Sequence, residues 1–301
     1  MHSKQAIRYT TSMITSAIVL FASGTAMADW DGCRPQQRQQ VQQIDNPSMN
    51  GIYFSSTSSQ GGVCRALGFE RAADGSMQQN GSAVGSVIVV DESGHITAGS
   101  EVNSATGEWI SQILCINPLS NPPQADMPSL VNSPNLNNLN FSASSDQNGV
   151  CRAIGYERAA VGAFQQNGSA VGAVLNVNAD GTIVSGSEVT SATGEWISQL
   201  ICVNQMSSAP LPGDESVQKI ENPQLDGIYF SSTSNQDGVC RAMGFGRAAD
   251  GAFQQNGSAV GAVIIVDETG KITGGAQVTS ASGEWISEIV CTGRGQENRQ
   301  R

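Results

Sequence analysis

The sequence predicts an α+β protein made of three small modules in tandem, each closed by one disulfide and each a mostly antiparallel sheet with one short helix. Two observations predict it. The stretch from Asn46 to Cys115 recurs from Ser133 to Cys202 and from Asn222 to Cys291 without an insertion or deletion. In every copy the two cysteines, Cys64 and Cys115, Cys151 and Cys202, Cys240 and Cys291, lie 51 positions apart. Self-similarity of this kind is the signature of a repeat architecture. An all-β module is the alternative on the same pattern.

Each element follows from its own pattern. Ile52 and Phe54 stay apolar in all copies, as Leu139 and Phe141 and as Ile228 and Phe230, while Tyr53 and Tyr229 face Asn140. That alternation turns the outer pair inward and the middle residue outward on a strand. The run GVCRALG puts Val63, Cys64 and Leu67 on one face of a short helix, with Gly68 at a left-handed cap. SVIVVDESGHITAG reads as a hairpin turning near Ser93 and Gly94. EWISQILC is apolar on both faces and reads as a central strand. Its Trp109, Trp196 and Trp285 read as core, with sugar stacking as the other use of such a ring.

A 73-residue module (44–116) draws only about 3–5 kcal/mol from a hydrophobic core. Closing a 51-residue loop adds about 4 kcal/mol on the chain-entropy model. Zinc is the rival use of paired cysteines, but there is no C-x-x-C, and His95 is the one histidine beyond residue 28. Intramodule disulfides, with no metal and no cofactor, are therefore expected.

Residues 1–28 read as a signal peptide: Lys4 and Arg8, the apolar run Met13–Ala22, then Ala26-Met27-Ala28 before Asp29. The apolar run is shorter than the roughly 20 residues of a membrane span, and no later segment is long and apolar enough. The organisation that follows is a Gln-rich arm (29–43), modules at 44–116, 131–203 and 220–292, Pro-rich linkers at 117–130 and 204–219, and a tail (293–301). Pro-rich linkers are extended and semi-rigid, which suggests beads on a string or loosely packed lobes. Cys33, in the arm, is left odd; an odd cysteine in an exported chain suggests a linked homodimer or a reactive thiol.

Cleavage before Asp29 leaves 13 Lys plus Arg against 26 Asp plus Glu, a formal −13. Such a chain repels polyanions and has no basic stripe, so nucleic acid is excluded as a partner.

No catalytic constellation recurs. His95 aligns with Thr182 and Lys271, and there is no G-x-S-x-G signature. Of the carboxylates weighed as paired catalysts, Glu108, Glu195 and Glu284 are present in all three copies. That is one per module, where a glycosidase needs two. Arg65, Arg152 and Arg241 are expected to pair with those glutamates and fix the helix to the last strand. Candidate binding residues are Arg71, Gln78, Gln79 and Asn80, with Arg158, Gln165, Gln166 and Asn167, and with Arg247, Gln254, Gln255 and Asn256. Neutral amides give directional hydrogen bonds to a polar ligand, and binding residues favour loops. Asn80, Asn167 and Asn256 are formally N-x-S acceptor sites, set aside for a bacterial-type chain. DESG, NADG and DETG lack EF-hand spacing.

GVCRALGF and GEWISQILC resemble, locally, two motifs of scavenger-receptor cysteine-rich domains. That family carries more cysteines per domain and a shorter gap between the motifs. The likeness covers under a third of a module, and no residue role is carried over. The expected function is that of a secreted or periplasmic, non-enzymatic, multivalent binding protein, for a glycan, matrix or envelope component. A structural or assembly protein of the cell surface is the alternative, and a secreted enzyme a third reading.

Overall fold

The computed structural model describes residues 39–190, 194–206, 216–279 and 283–294. The expected signal peptide, Cys33, most of the 29–43 arm, the middle of the second linker and the end of the tail lie outside the described residues.

The first run of elements is β1 (Val41–Asp45), β2 (Ser48–Met49), β3 (Ile52–Tyr53), α1 (Gln60–Ala66), β4 (Phe69–Asn80), β5 (Gly85–Val90), β6 (Ile96–Val102) and β7 (Trp109–Pro118). The same order returns as β8 (Pro128–Asn132), β9 (Asn135–Leu136), β10 (Leu139–Phe141), α2 (Gln147–Ala153), β11 (Tyr156–Asn167), β12 (Gly172–Val177), β13 (Ile183–Val189) and β14 (Trp196–Gln205). It returns once more as β15 (Val217–Glu221), β16 (Gln224–Leu225), β17 (Ile228–Phe230), α3 (Gln236–Ala242), β18 (Phe245–Asn256), β19 (Gly261–Val266), β20 (Ile272–Val278) and β21 (Trp285–Arg294). Among the described residues the chain is mostly β-sheet with three short helices and three disulfides, in keeping with small disulfide-closed modules.

In each module the strand holding the second cysteine is central. β7 lies between β1 and β4, β14 between β8 and β11, and β21 between β15 and β18, all antiparallel. The hairpin β5–β6 forms the second layer, joined to the first strands by a parallel bridge from Phe54 to Ile88. In the later modules that bridge extends into the parallel pairs β10–β12 and β17–β19.

Each helix starts on a capping side chain. Ser59, Asp146 and Asn235 accept from the backbone N–H of Gly62, Gly149 and Gly238 at 3.2, 3.0 and 3.1 Å. Three different residues at one position share one trait, a short oxygen acceptor suited to an N-cap. Gly68 follows the helix at φ +88°, as a left-handed terminus requires. The helix sits so close to the β5–β6 turn that a Cβ on Gly62 would overlap the Asp91 carbonyl. Cys64 and Cys115 then bond across a Cα separation of 5.5 Å, as do Cys151 with Cys202 and Cys240 with Cys291. Around the first bridge Phe54, Ile88, Ile110 and Ile113 are fully buried.

Several expectations need correction. Arg65 does not pair with Glu108; it bonds the side chain and carbonyl of Glu92 in the hairpin turn. Arg152 and Arg241 likewise reach the turn carbonyls of Ala179 and Glu268. The helix is thus tied to the hairpin turn, and Glu108 is left exposed. Gln78, Gln79 and Asn80, with their counterparts, are not loop residues. They end the twelve-residue strands β4, β11 and β18, paired to the central strand as Gln78 with Gln112, Gln79 with Ile110 and Asn80 with Trp109. The polar stretch ERAADGSMQQN lacks alternation because a bulge between Ala72 and Met77 breaks it.

Nor are the linkers plain spacers. β8 and β15 lie across the expected boundaries 131 and 220, as β1 lies across 44, and each completes the sheet of its own module. Nor do the modules stand as beads on a string: the described residues from Gln39 to Arg294 belong to one compact unit.

Candidate functional site

The bulge on the long strand is the feature around which the site is built. The side-chain carbonyl at the start of each helix holds it: Gln60 accepts from Gly75 N at 3.2 Å, Gln147 from Gly162 N at 2.8 Å and Gln236 from Gly251 N at 3.2 Å. In the second module the bulge, Ala160 to Ala163, presses on β6 of the first. Ala163 packs where a Cβ on Gly99 would be, and Gly162 lies against the Gly99 carbonyl. The third module repeats this, with Ala252 against Gly186 and Gly251 against the Gly186 carbonyl.

Apolar burial accompanies the approach. Ala160, Ala163, Ile201 and Val203 belong to the core of the first module, and Val217, Ala249, Ala252 and Val290 to that of the second. A module therefore lends one side of its sheet to its predecessor.

Polar bonds set the register of each joint. Asn50 donates to the carbonyl of Pro128 and Asn137 to that of Val217, both at 2.9 Å. Asp126, buried in the first linker, accepts from Ile96 N and Arg158 Nη2 at 2.8 Å and from Asn204 Nδ2 at 3.2 Å. His95 Nδ1 stands 3.7 Å from the same carboxylate. Arg247 Nη2 donates to the Ile183 carbonyl at 2.8 Å.

The expected binding residues divide along this line. Arg158 and Arg247 are engaged at the joints. Gln165 Nε2 reaches Asn103 Oδ1 at 3.4 Å, and the Gln254 side chain bonds Glu188. Both glutamines are half-buried, whereas Gln78 is exposed. Arg71 bonds its neighbour's carbonyl, Ala72 O, at 3.2 Å. Asn80, Asn167 and Asn256 close their own turns, accepting from Ser82, Ser169 and Ser258 N at 2.8 Å. Gln79, Gln166 and Gln255 are exposed in all three modules.

Electrostatics sharpens the second joint. Burial pushes the Glu188 carboxyl above its ordinary value; the bond from Gln254 opposes this and the charge of Glu288 adds to it. Burial works against the ammonium of Lys219, but its bonds to Glu288 and Glu221 prevail and hold it above the usual lysine range. At the turns, Asp91 accepts from Ser93 Oγ and from the N–H groups of Ser93 and His95, which lowers its carboxyl. DESG is thereby accounted for as a turn.

The indoles are buried: Trp109 packs on Tyr53 at 4.5 Å between ring centroids, and Trp196 and Trp285 donate to Ser169 and Ser258 carbonyls at 3.1 Å. An open hollow of about 440 Å³ beside α3 is lined by Gln236, Asp237, Arg247 and Asp250 among others. Among the described residues no helix is long and apolar enough to cross a membrane, and no group of three or more His, Cys, Asp or Glu could hold a metal.

Sequence reasoning missed the small residues. Gly99, Gly186 and Gly275 recur inside a strand pattern, and a glycine there marks close backbone approach; that signal was available. What the arrangement does chemically is bind another module. No family model, curated protein or solved structure matches the chain.

Proposed function

We propose that this chain is an exported structural or assembly protein of the cell surface, whose tandem α+β modules exist to stack. The observation that carries the reading is that Gln165, Gln254 and Arg247 bond Asn103, Glu188 and the Ile183 carbonyl of the preceding module, while Arg158 holds the linker carboxylate of Asp126, which also accepts from Ile96 N. A multivalent receptor would need that surface open in each module. Three disulfides accord with an oxidising compartment outside the cytoplasm. Export by the 1–28 signal, with cleavage before Asp29, belongs to the same reading, as does a Cys33 bond between copies.

A second reading, multivalent binding of a glycan or envelope component, is favoured by one observation: Gln79, Gln166 and Gln255 are exposed in every module. One experiment separates the two. Residues 29–301 carrying Cys33→Ser are passed over a glycan and polymer array and weighed by light scattering across concentration. Multi-copy species with no array hits are expected. A chain that stays monomeric and binds an array component overturns the assembly reading.

A further inference from the structure

The two internal joints are made by one pair of surfaces used twice, and each end of the described stack has one member of that pair uncovered. At the first module the bulge Ala73–Ser76 faces no predecessor, and a Cβ on its Gly75 would meet nothing within 4 Å, unlike one on Gly162 or Gly251. Across β7 from it, on β1, Val41 is 58% exposed, whereas its counterpart Val217 is 4% exposed within the second joint. At the third module β20 is uncovered: Ile272 is 51% exposed, against 2% for Ile96 and 4% for Ile183. Gly275 holds the place of Gly99 and Gly186, with only the Val263 carbonyl near its absent Cβ, at 3.1 Å.

We propose, building on the assembly reading, that β20 of one copy receives the Ala73–Ser76 bulge of a second copy, forming a head-to-tail joint. The occupant is a second copy because the surfaces match those that already meet inside the chain. The bulge sequence ADGS of the first module differs from ADGA of the third at one position, and the third docks on the second. That one difference, Ser76, turns its hydroxyl back to the Ala73 carbonyl. On the receiving side Gln277 replaces Glu101 and Glu188, so the carboxylate whose burial is disfavoured at Glu188 is absent. Arg71 then meets the Ile272 carbonyl, as Arg247 meets that of Ile183.

One bond is not reproduced. Asn50 and Asn137 donate across the internal joints, but their counterpart is Asp226. A carboxylate cannot donate to a carbonyl, so the joint between copies is weaker than those within one. Surfaces of this heterologous kind close into rings or extend into filaments, as their rotation dictates.

The test uses the Cys33→Ser chain and two blocked variants, Ile272→Lys with Gly275→Leu at one end and Val41→Asp with Ser76→Arg at the other. Sedimentation equilibrium measures mass, and circular dichroism confirms folding. Ile272→Lys alone and Val41→Asp alone, at exposed positions, serve if a double variant unfolds. The unblocked chain is expected to grow with concentration, each blocked variant to stay monomeric, and an equal mixture of the two to stop at a dimer. Asp226→Asn is expected to tighten assembly about tenfold, or about 1.4 kcal/mol. If both blocked variants assemble like the unblocked chain, the proposal falls while assembly through another surface stands. If the unblocked chain is monomeric throughout, both fall. If it assembles only after deletion of residues 29–38, the first module's surface is held by its own chain, and the proposal is overturned.

Discussion

Gly99 and Gly186 show how one hydrogen atom in place of a methyl group permits two backbones to meet. The neighbouring alanine methyls, Ala163 and Ala252, occupy the volume that any side chain would need. Gly186→Val is expected to destabilise the chain by about 1–3 kcal/mol, the range for overpacking, read from urea midpoints. Gly275→Val, whose Cβ would meet only the Val263 carbonyl at 3.1 Å and no neighbouring alanine, is expected to cost less than Gly186→Val at concentrations where the chain is monomeric. Glu188 gives a pH signature with a definite sign. Its folded-state value is raised, so protonation favours the fold, and the contribution fades as pH rises from the ordinary glutamate value of 4.5 through the raised one. Glu188→Gln is expected to flatten that part of the stability–pH curve and to raise stability at neutral pH, as denaturant titrations between pH 4 and 8 would measure.

At the scale of the element, the helix, the bulge and the disulfide form one device. The helix start holds the bulge through Gln147, and the helix middle is bonded to the central strand through Cys151. Gln147→Ala is expected to free the Gly162 amide and speed its hydrogen exchange, with little change at Gly75. Replacing both Cys151 and Cys202 by alanine is expected to lower stability by about 4 kcal/mol on the chain-entropy model, measured by chemical denaturation. Helix, hairpin and central strand were legible because GVCRALG, SVIVVDESGHITAG and EWISQILC each carry a complete local signal. The long strand was not, since its bulge removes the alternation that reveals a strand. Gln78 and Asn80 looked like loop amides for that reason. The Arg65 partner was illegible for another: Glu92 is near only after the hairpin packs on the helix.

For the whole molecule, cores that extend across module boundaries couple the modules energetically. Calorimetry is expected to show one cooperative transition for the described stack, and Gly186→Val to split it into two, with the third module melting separately. In stacked repeats stability is approximately a sum of unit and nearest-neighbour terms, and each joint here uses the same bulge against the same strand. That sameness has a genetic consequence. Near-identical repeats recombine unequally, so the number of modules can change in a single event. Because a gained or lost module brings its own donor bulge and its own receiving glycine, the contact of bulge on glycine is remade at every joint. Length in such a protein can drift in whole modules without a matching change anywhere else in the sequence.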